Sequence, residues 1–179
     1  MRIFLVGFMG SGKSLMGAAL AKELEVNFID LDKVIEKKAG KDVAAIFEGE
    51  GEKHFRELEK NSLTELLLED NYVMACGGGT PCFSDNMEKM NEAGVVIYLK
   101  MSTDHLVERL EAEVESRPLL KGKTGHVLWT FVHELLQERE PDYLNAKYKV
   151  RATGLKPAEL AEFIQLYELQ ATTNGDEEE

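Results

Sequence analysis

The stretch Gly7-Phe8-Met9-Gly10-Ser11-Gly12-Lys13-Ser14 follows directly on the apolar run Ile3-Phe4-Leu5-Val6. Residues 13–24 overlap its end and run on, with Met16, Ala19, Leu20 and Leu24 on one face at helical spacing. The pattern is G-x-x-x-x-G-K-[ST] in the setting it requires, a strand before and a helix after. Backbone N–H groups from Gly10 through Ser11, Gly12 and Lys13 to Ser14 are expected to surround a polyphosphate at the positive helix end. Lys13 is expected to contact the β and γ phosphates, and the Ser14 hydroxyl to ligate Mg2+. The bland alternative is a glycine-rich turn with an exposed lysine, and the agreement of pattern and context argues against it.

Outward from this loop, short apolar runs alternate with segments of helical periodicity, the signature of a parallel α/β sheet. The strand candidates are 3–6, 26–31, 72–76, 95–100 and about 147–151. The last alternates charged and apolar side chains and fits a half-exposed edge strand as well as a loop. Segments 33–38, 42–48, 51–69, 84–93, 103–112, 126–139 and 157–169 read as further helices, and Pro157 suits a first helical turn. The expected fold is α/β, a five-stranded parallel sheet flanked by helices on both faces. It is expected as a single domain over residues 1–171, followed by an acidic, disordered tail over 172–179. In such sheets ligands bind at the carboxyl ends of the strands, where the motifs should converge.

The chain has 179 residues, 21 basic and 33 acidic, for a net charge of −12. That balance argues against broad binding to nucleic acid or anionic membrane, so any bound anion needs a local basic site. No apolar run approaches the ~20 residues that span a bilayer, and Met1-Arg2 leads into a strand rather than a signal peptide. A cytoplasmic protein is expected. Cys76 and Cys82 flank a glycine loop without metal-ligand spacing and read as reduced and structural.

Asp30 and Asp32 stand two apart at the end of the second strand candidate, placing both on the ligand-bearing edge. One carboxylate near Mg2+ and another facing a hydroxyl acceptor suit phosphoryl transfer to an alcohol. Asp32 as a mere N-cap of the helix from Lys33 is the competing and compatible reading. Arg56, in His54-Phe55-Arg56-Glu57-Leu58-Glu59, lies on a charged helix whose face is on spacing alone more simply solvated. Gly77-Gly78-Gly79 ends a buried strand and reads as a loop whose backbone passes close to a ligand. Arg117-Pro118-Leu119-Leu120-Lys121-Gly122-Lys123-Thr124-Gly125 reads as a mobile loop, a lid if the chain is a kinase. Arg139 precedes Pro141 at an expected helix end, where a cation favours the dipole whatever else it does. The four histidines make no triad or metal spacing, and Trp129, Phe131, Leu135 and Leu136 read as core.

Taken together, GFMGSGKS, Asp30-x-Asp32, Phe55-Arg56-x-x-Glu59, Gly77-Gly78-Gly79, Arg117-Pro118-Leu119-Leu120 and Arg139-x-Pro141-x-Tyr143 resemble the shikimate kinase family. The likeness holds in order and spacing over about residues 1–165. It implies a nucleoside-monophosphate-kinase-like P-loop fold with a lid over about 112–125. It also implies transfer of the γ phosphate of ATP to the 3-hydroxyl of shikimate, and a monomer is expected. By resemblance, Lys13 would stabilise the transferring phosphoryl group, and Ser14 with Asp30, through water, would hold Mg2+. Asp32 would bind the shikimate hydroxyls and act as base. Arg56 and Arg139 would clamp the carboxylate, with the backbone of Gly78 and Gly79 closing the pocket. Arg117 would swing in on the lid to the ATP phosphates, and Arg109 would stack on adenine.

The chain departs from the family pattern twice. Thr153-Gly154-Leu155-Lys156-Pro157 matches the adenine loop by position but lacks the arginine often found there. Leu15 stands in the ATP site where a threonine commonly follows the P-loop serine, a change expected to alter packing and leave the chemistry alone. Another small-molecule kinase, acting on gluconate or a nucleoside monophosphate, would leave the glycine run and the two arginines without a shared purpose. A GTP-binding switch would need an N/T-K-x-D segment, which is absent from the sequence. A noncatalytic interaction module would have no use for Lys13, Ser14 and Asp32 together.

Overall fold

A computed structural model describes residues 1–117 and 119–173. Five strands, β1 (Arg2–Val6), β2 (Asn27–Asp30), β3 (Tyr72–Ala75), β4 (Val95–Lys100) and β5 (Tyr148–Arg151), form one sheet in the order β2-β3-β1-β4-β5. Every pairing is parallel, with Phe4 opposite Met74 on one side and Val96 on the other. The segment 147–151 is thus an edge strand, Ile97 standing opposite Tyr148.

The alternation of side chains along β1 divides the core in two. Ile3 and Leu5 pack with Leu20 of α1 (Lys13–Glu23) and with Leu160 and Ile164 of α7 (Pro157–Thr173). Phe4 and Val6 face the other way, into the larger cluster. That cluster is built with α2 (Leu31–Ala39), α3 (Val43–Leu66), α4 (Asn86–Ala93), α5 (Thr103–Leu110) and α6 (Gly125–Tyr143). Helix α1 lies close against the sheet because residue 17 is glycine. A Cβ there would come 2.7 Å from the Phe28 ring.

Several boundaries differ from the sequence reading, and two of them bear on the site. The second strand ends at Asp30 rather than residue 31, because the Asp30 carboxylate accepts from Lys33 N at 3.3 Å and starts α2. The cap is therefore Asp30, and Asp32 sits in the first helical turn. The expected helices 42–48 and 51–69 are both present within α3, separated at Gly51, whose φ of 83° and ψ of 169° are not helical. Helix α6 does not end at residue 139 but continues through Pro141. Losing one helical hydrogen bond there is offset by burial of Tyr143, whose ring packs 5.1 Å from that of Tyr98.

The tail expected over 172–179 begins inside α7, and residues 174–179 lie outside the described residues, as does Pro118 of the expected lid. Both thiols are free, and burial pushes Cys82 up to about 12 and Cys76 higher still. None of the helices among the described residues is long and apolar enough to cross a membrane.

Candidate active site

The carboxyl ends of β1, β2 and β3 open on one edge of the sheet, and their loops bring the phosphate loop, the Asp30 corner and the glycine run together. Gly10 and Gly12 take φ of 79° and 91°, a left-handed bend that turns the chain from β1 into α1. Lys13 is buried at the start of α1, its Nζ donating to the carbonyls of Gly7 and Phe8 at 2.8 Å each. Burial lowers its pKa to about 8, with the charge of Asp32 opposing the shift. Ser14 Oγ donates to Asp30 Oδ2 at 2.7 Å. Arg109 reaches back from the last turn of α5 to donate to Gly10 O at 3.3 Å. With Gly12, Leu15, Asp32, Glu113 and Arg117, these residues line a cleft of about 960 Å³.

Beside it lies a second cavity of about 590 Å³, which holds Asp32, Arg56, Glu59, Arg117, Arg139 and the three glycines 77–79. The two share Met9, Asp32, Gly77, Gly78 and Arg117, so these residues form the wall between them. Asp32 is pushed up to about 6, first by burial, then by the neighbouring carboxylates Asp30 and Glu59, with Lys13 pulling the other way. The glycine run is as tight as its sequence suggests. A Cβ on Gly79 would fall 2.5 Å from Arg56 Nη2, and one on Gly77 would fall 2.9 Å from Asp32 Oδ1.

The two arginines of this cavity are held differently. Arg56, on α3, pairs with Glu59 at 2.8 Å and Glu52 at 3.1 Å and lies over the Phe83 ring at 4.0 Å. Arg139 is buried inside α6 rather than at a helix end, which removes the simple dipole reading. Its Nη1 is 3.8 Å from where a Gly78 Cβ would stand, and the Tyr143 hydroxyl one turn on donates to Gly78 O.

Sequence reasoning gave no role to Glu59 or Glu113. Glu59 is fully buried and accepts from Arg56 and, at 2.6 Å, from the Thr80 hydroxyl. Asn86 then donates to Thr80 O at 3.0 Å, so α3, the glycine loop and α4 are tied by one polar chain. The signal for Glu59 was its i+3 spacing from Arg56, which puts both on one helix face. Glu113 accepts from Arg117 Nε at 2.6 Å and also pairs with its Nη2.

The oxygens of Ser14 and Asp30 fit a Mg2+ site, since that ion takes one or two protein oxygens and completes its shell with phosphates and water. Larger metal-binding groups of His, Cys, Asp or Glu are absent among the described residues.

Fold and site define a P-loop phosphotransferase with a second cavity beside the phosphate cleft. Residues 9–167 match the family described as Shikimate kinase, and the chain belongs to it. It is 47% identical over 145 residues to a shikimate kinase of Parabacteroides distasonis, covering 81% of this chain and 84% of the relative. The crystal structure of shikimate kinase from Bacteroides thetaiotaomicron aligns at a TM-score of 0.85 and 42% identity, covering 96% of this chain and 98% of that one. Shikimate kinase from Acinetobacter baumannii, solved in complex with shikimate, aligns at 0.85 and 34% identity, covering 95% and 93%.

Proposed function

We propose that the chain transfers the γ phosphate of ATP directly to the 3-hydroxyl of shikimate, with the phosphate cleft as donor site and the neighbouring cavity as acceptor site. The observation that carries this reading is the shared wall. Asp32 and Arg117 border both compartments, where a group must stand to act on the transferring phosphoryl and the attacking oxygen together.

The backbone N–H groups from Gly10 to Leu15 hold the polyphosphate, and Lys13 exchanges its two loop carbonyls for phosphate oxygens. Arg109 packs on the base, and Arg117 trades Glu113 for phosphate as residues 112–125 close. Ser14 and Asp30 hold Mg2+, which when bound neutralises charge on the β and γ phosphates. Asp32 accepts hydrogen bonds from the acceptor hydroxyls and takes the departing proton. With a pKa of about 6 it is mostly ionised at neutral pH yet basic enough to help. Arg56 and Arg139 bind the shikimate carboxylate, and the backbone of Gly78 and Gly79 closes over it. The net charge of −12 weighs against binding to nucleic acid or to anionic membrane.

The test is ADP release from MgATP with shikimate, gluconate and several nucleoside monophosphates as acceptors. Turnover is expected with shikimate, and failure of shikimate to stimulate release overturns the reading.

A further inference from the structure

The carbonyls of the glycine run are used in two ways. Those of Gly77 and Gly79 accept from Thr80 N and Cys82 N and close the turn on itself. That of Gly78 has no backbone partner among the described residues and accepts instead from the Tyr143 hydroxyl, at the end of α6. The middle peptide of the loop is thus held by one side chain from another element. Its position bears on both cavities, since a Cβ on Gly78 would fall 3.1 Å from Met9 N in the phosphate loop. Backbone lies on backbone there, and Gly78 and Met9 both stand in the shared wall.

Tyr143 is suited to hold it. Its ring is fully buried and packs 5.1 Å from that of Tyr98, which limits its movement. Burial pushes the phenol pKa far above its ordinary value, so the hydroxyl keeps its proton and donates at every working pH. A phenol oxygen that donates one bond can still accept another. The cation beside it is Arg139, one turn earlier on α6, whose charge opposes the rise.

Arg139 also differs from Arg56 in what restrains it. Arg56 is paired with Glu52 and Glu59, whereas no carboxylate pairs with the buried Arg139 among the described residues. A buried guanidinium without a counter-ion depends on neutral neighbours for its place until an anion arrives.

We infer that Tyr143 is a positioning residue of the acceptor site, its hydroxyl setting the Gly78 peptide and the Arg139 side chain in register with each other for the carboxylate of the acceptor. The inference rests on the assignment of the acceptor half made above. Tyr143 is not among the residues lining the acceptor cavity, so it acts through those two groups and not on the substrate.

The experiment is Tyr143→Phe, which keeps the buried ring and removes the hydroxyl alone. With both substrates varied, KM for shikimate should rise roughly five- to twentyfold, while kcat and KM for ATP stay within about twofold. An unchanged KM for shikimate overturns the inference, as does an equal rise in both KM values. Tyr98→Phe is the control for losing a hydroxyl from the same ring pair, because Tyr98 donates to Glu140 at 3.2 Å and not to the glycine loop. It should leave KM for shikimate within about twofold of wild type. A rise matching that of Tyr143→Phe overturns the inference, since the effect would then come from packing of the rings. In an Arg139→Ala background, Tyr143→Phe should raise KM for shikimate by no more than about threefold, because one of the two groups it sets is gone. The same factor in both backgrounds overturns the inference too. Absence of product from the wild type with shikimate and MgATP overturns the underlying acceptor reading instead.

Discussion

On the proposed reading, the donor and acceptor halves of the site are built from different material. The phosphate loop is one contiguous stretch whose working groups are mostly backbone amides, shaped by glycines at left-handed φ. The acceptor pocket draws side chains from α2, α3, the loop after β3 and α6, and keeps them in place by ion pairs and buried hydrogen bonds. The donor half is thus defined by conformation and by the buried cation Lys13. The acceptor half is defined by charge, and a single deletion there leaves a buried partner exposed to the full cost of being unpaired.

Substituting Lys13 should separate the halves most sharply. Lys13→Met should lower kcat by about a thousandfold or more, as removal of a charge that stabilises the transition state does. KM for shikimate should move less than threefold, because Lys13 donates into the phosphate loop. Steady-state kinetics with both substrates varied checks this. A large rise in shikimate KM would mean that the lysine also organises the acceptor pocket.

Next in size is Asp32→Asn, which should cost about a hundredfold in kcat if Asp32 is the base. The same substitution should stabilise the fold. The folded pKa of about 6 lies above the ordinary aspartate value of 3.8, so the native state binds the extra proton and wild-type stability falls as pH rises between them. Above pH 6 the asparagine variant is spared that penalty, on the order of 1–3 kcal/mol, seen as a Tm higher by roughly 3–10 °C. The gain should vanish below pH 4. In the wild type, kcat/KM should rise through pH 6 as Asp32 ionises and decline above 8 as Lys13 loses its proton. Near-normal turnover of the variant would reduce Asp32 to a positioning group.

The acceptor half can be probed alone through Arg139→Ala. Loss of one arginine to carboxylate contact is worth about 1.5–3 kcal/mol, so KM for shikimate should rise roughly ten- to a hundredfold. KM for ATP should stay within about twofold, since Arg139 lines the acceptor cavity and not the phosphate cleft. Equal effects on both would erase the division.

That division also explains what could be read without coordinates. A contiguous, backbone-made site leaves its pattern in consecutive residues, so the phosphate loop and its strand and helix were legible at once. A parallel sheet followed from apolar runs of the right length, whereas the alternation over 147–151 suited an edge strand or a loop, and only pairing with β4 decides for the strand. The acceptor pocket left only scattered traces. Pro141 reads locally as a stop, yet burial of Tyr143 carries α6 through it and puts Arg139 inside the helix. Asp30 and Asp32 read as strand neighbours, whereas the chain turns from strand to helix between them and gives the cap to Asp30. Glu59 looks like one more acid on a charged helix, and only tertiary packing reveals it as the buried link between Arg56 and Thr80.

The smallest expected effect lies where the halves meet. Arg117 lines both compartments but is held by Glu113 four residues earlier, in the 3-10 turn Glu111–Ser116 that Arg117 closes as C-cap. Both partners are partly exposed, so the pair is worth about 0.2–1 kcal/mol. On the proposed reading Arg117 gives it up before meeting phosphate, and the cost falls on nucleotide binding alone. Glu113→Gln removes the charge and keeps the length of the side chain. KM for ATP should fall by up to about fivefold, with little change in KM for shikimate. The fall should shrink as salt is added, because screening already weakens the wild-type pair. An increase in KM for ATP would show that Glu113 presents Arg117 to the phosphates rather than restraining it, and the boundary between the halves would then be organised before nucleotide arrives.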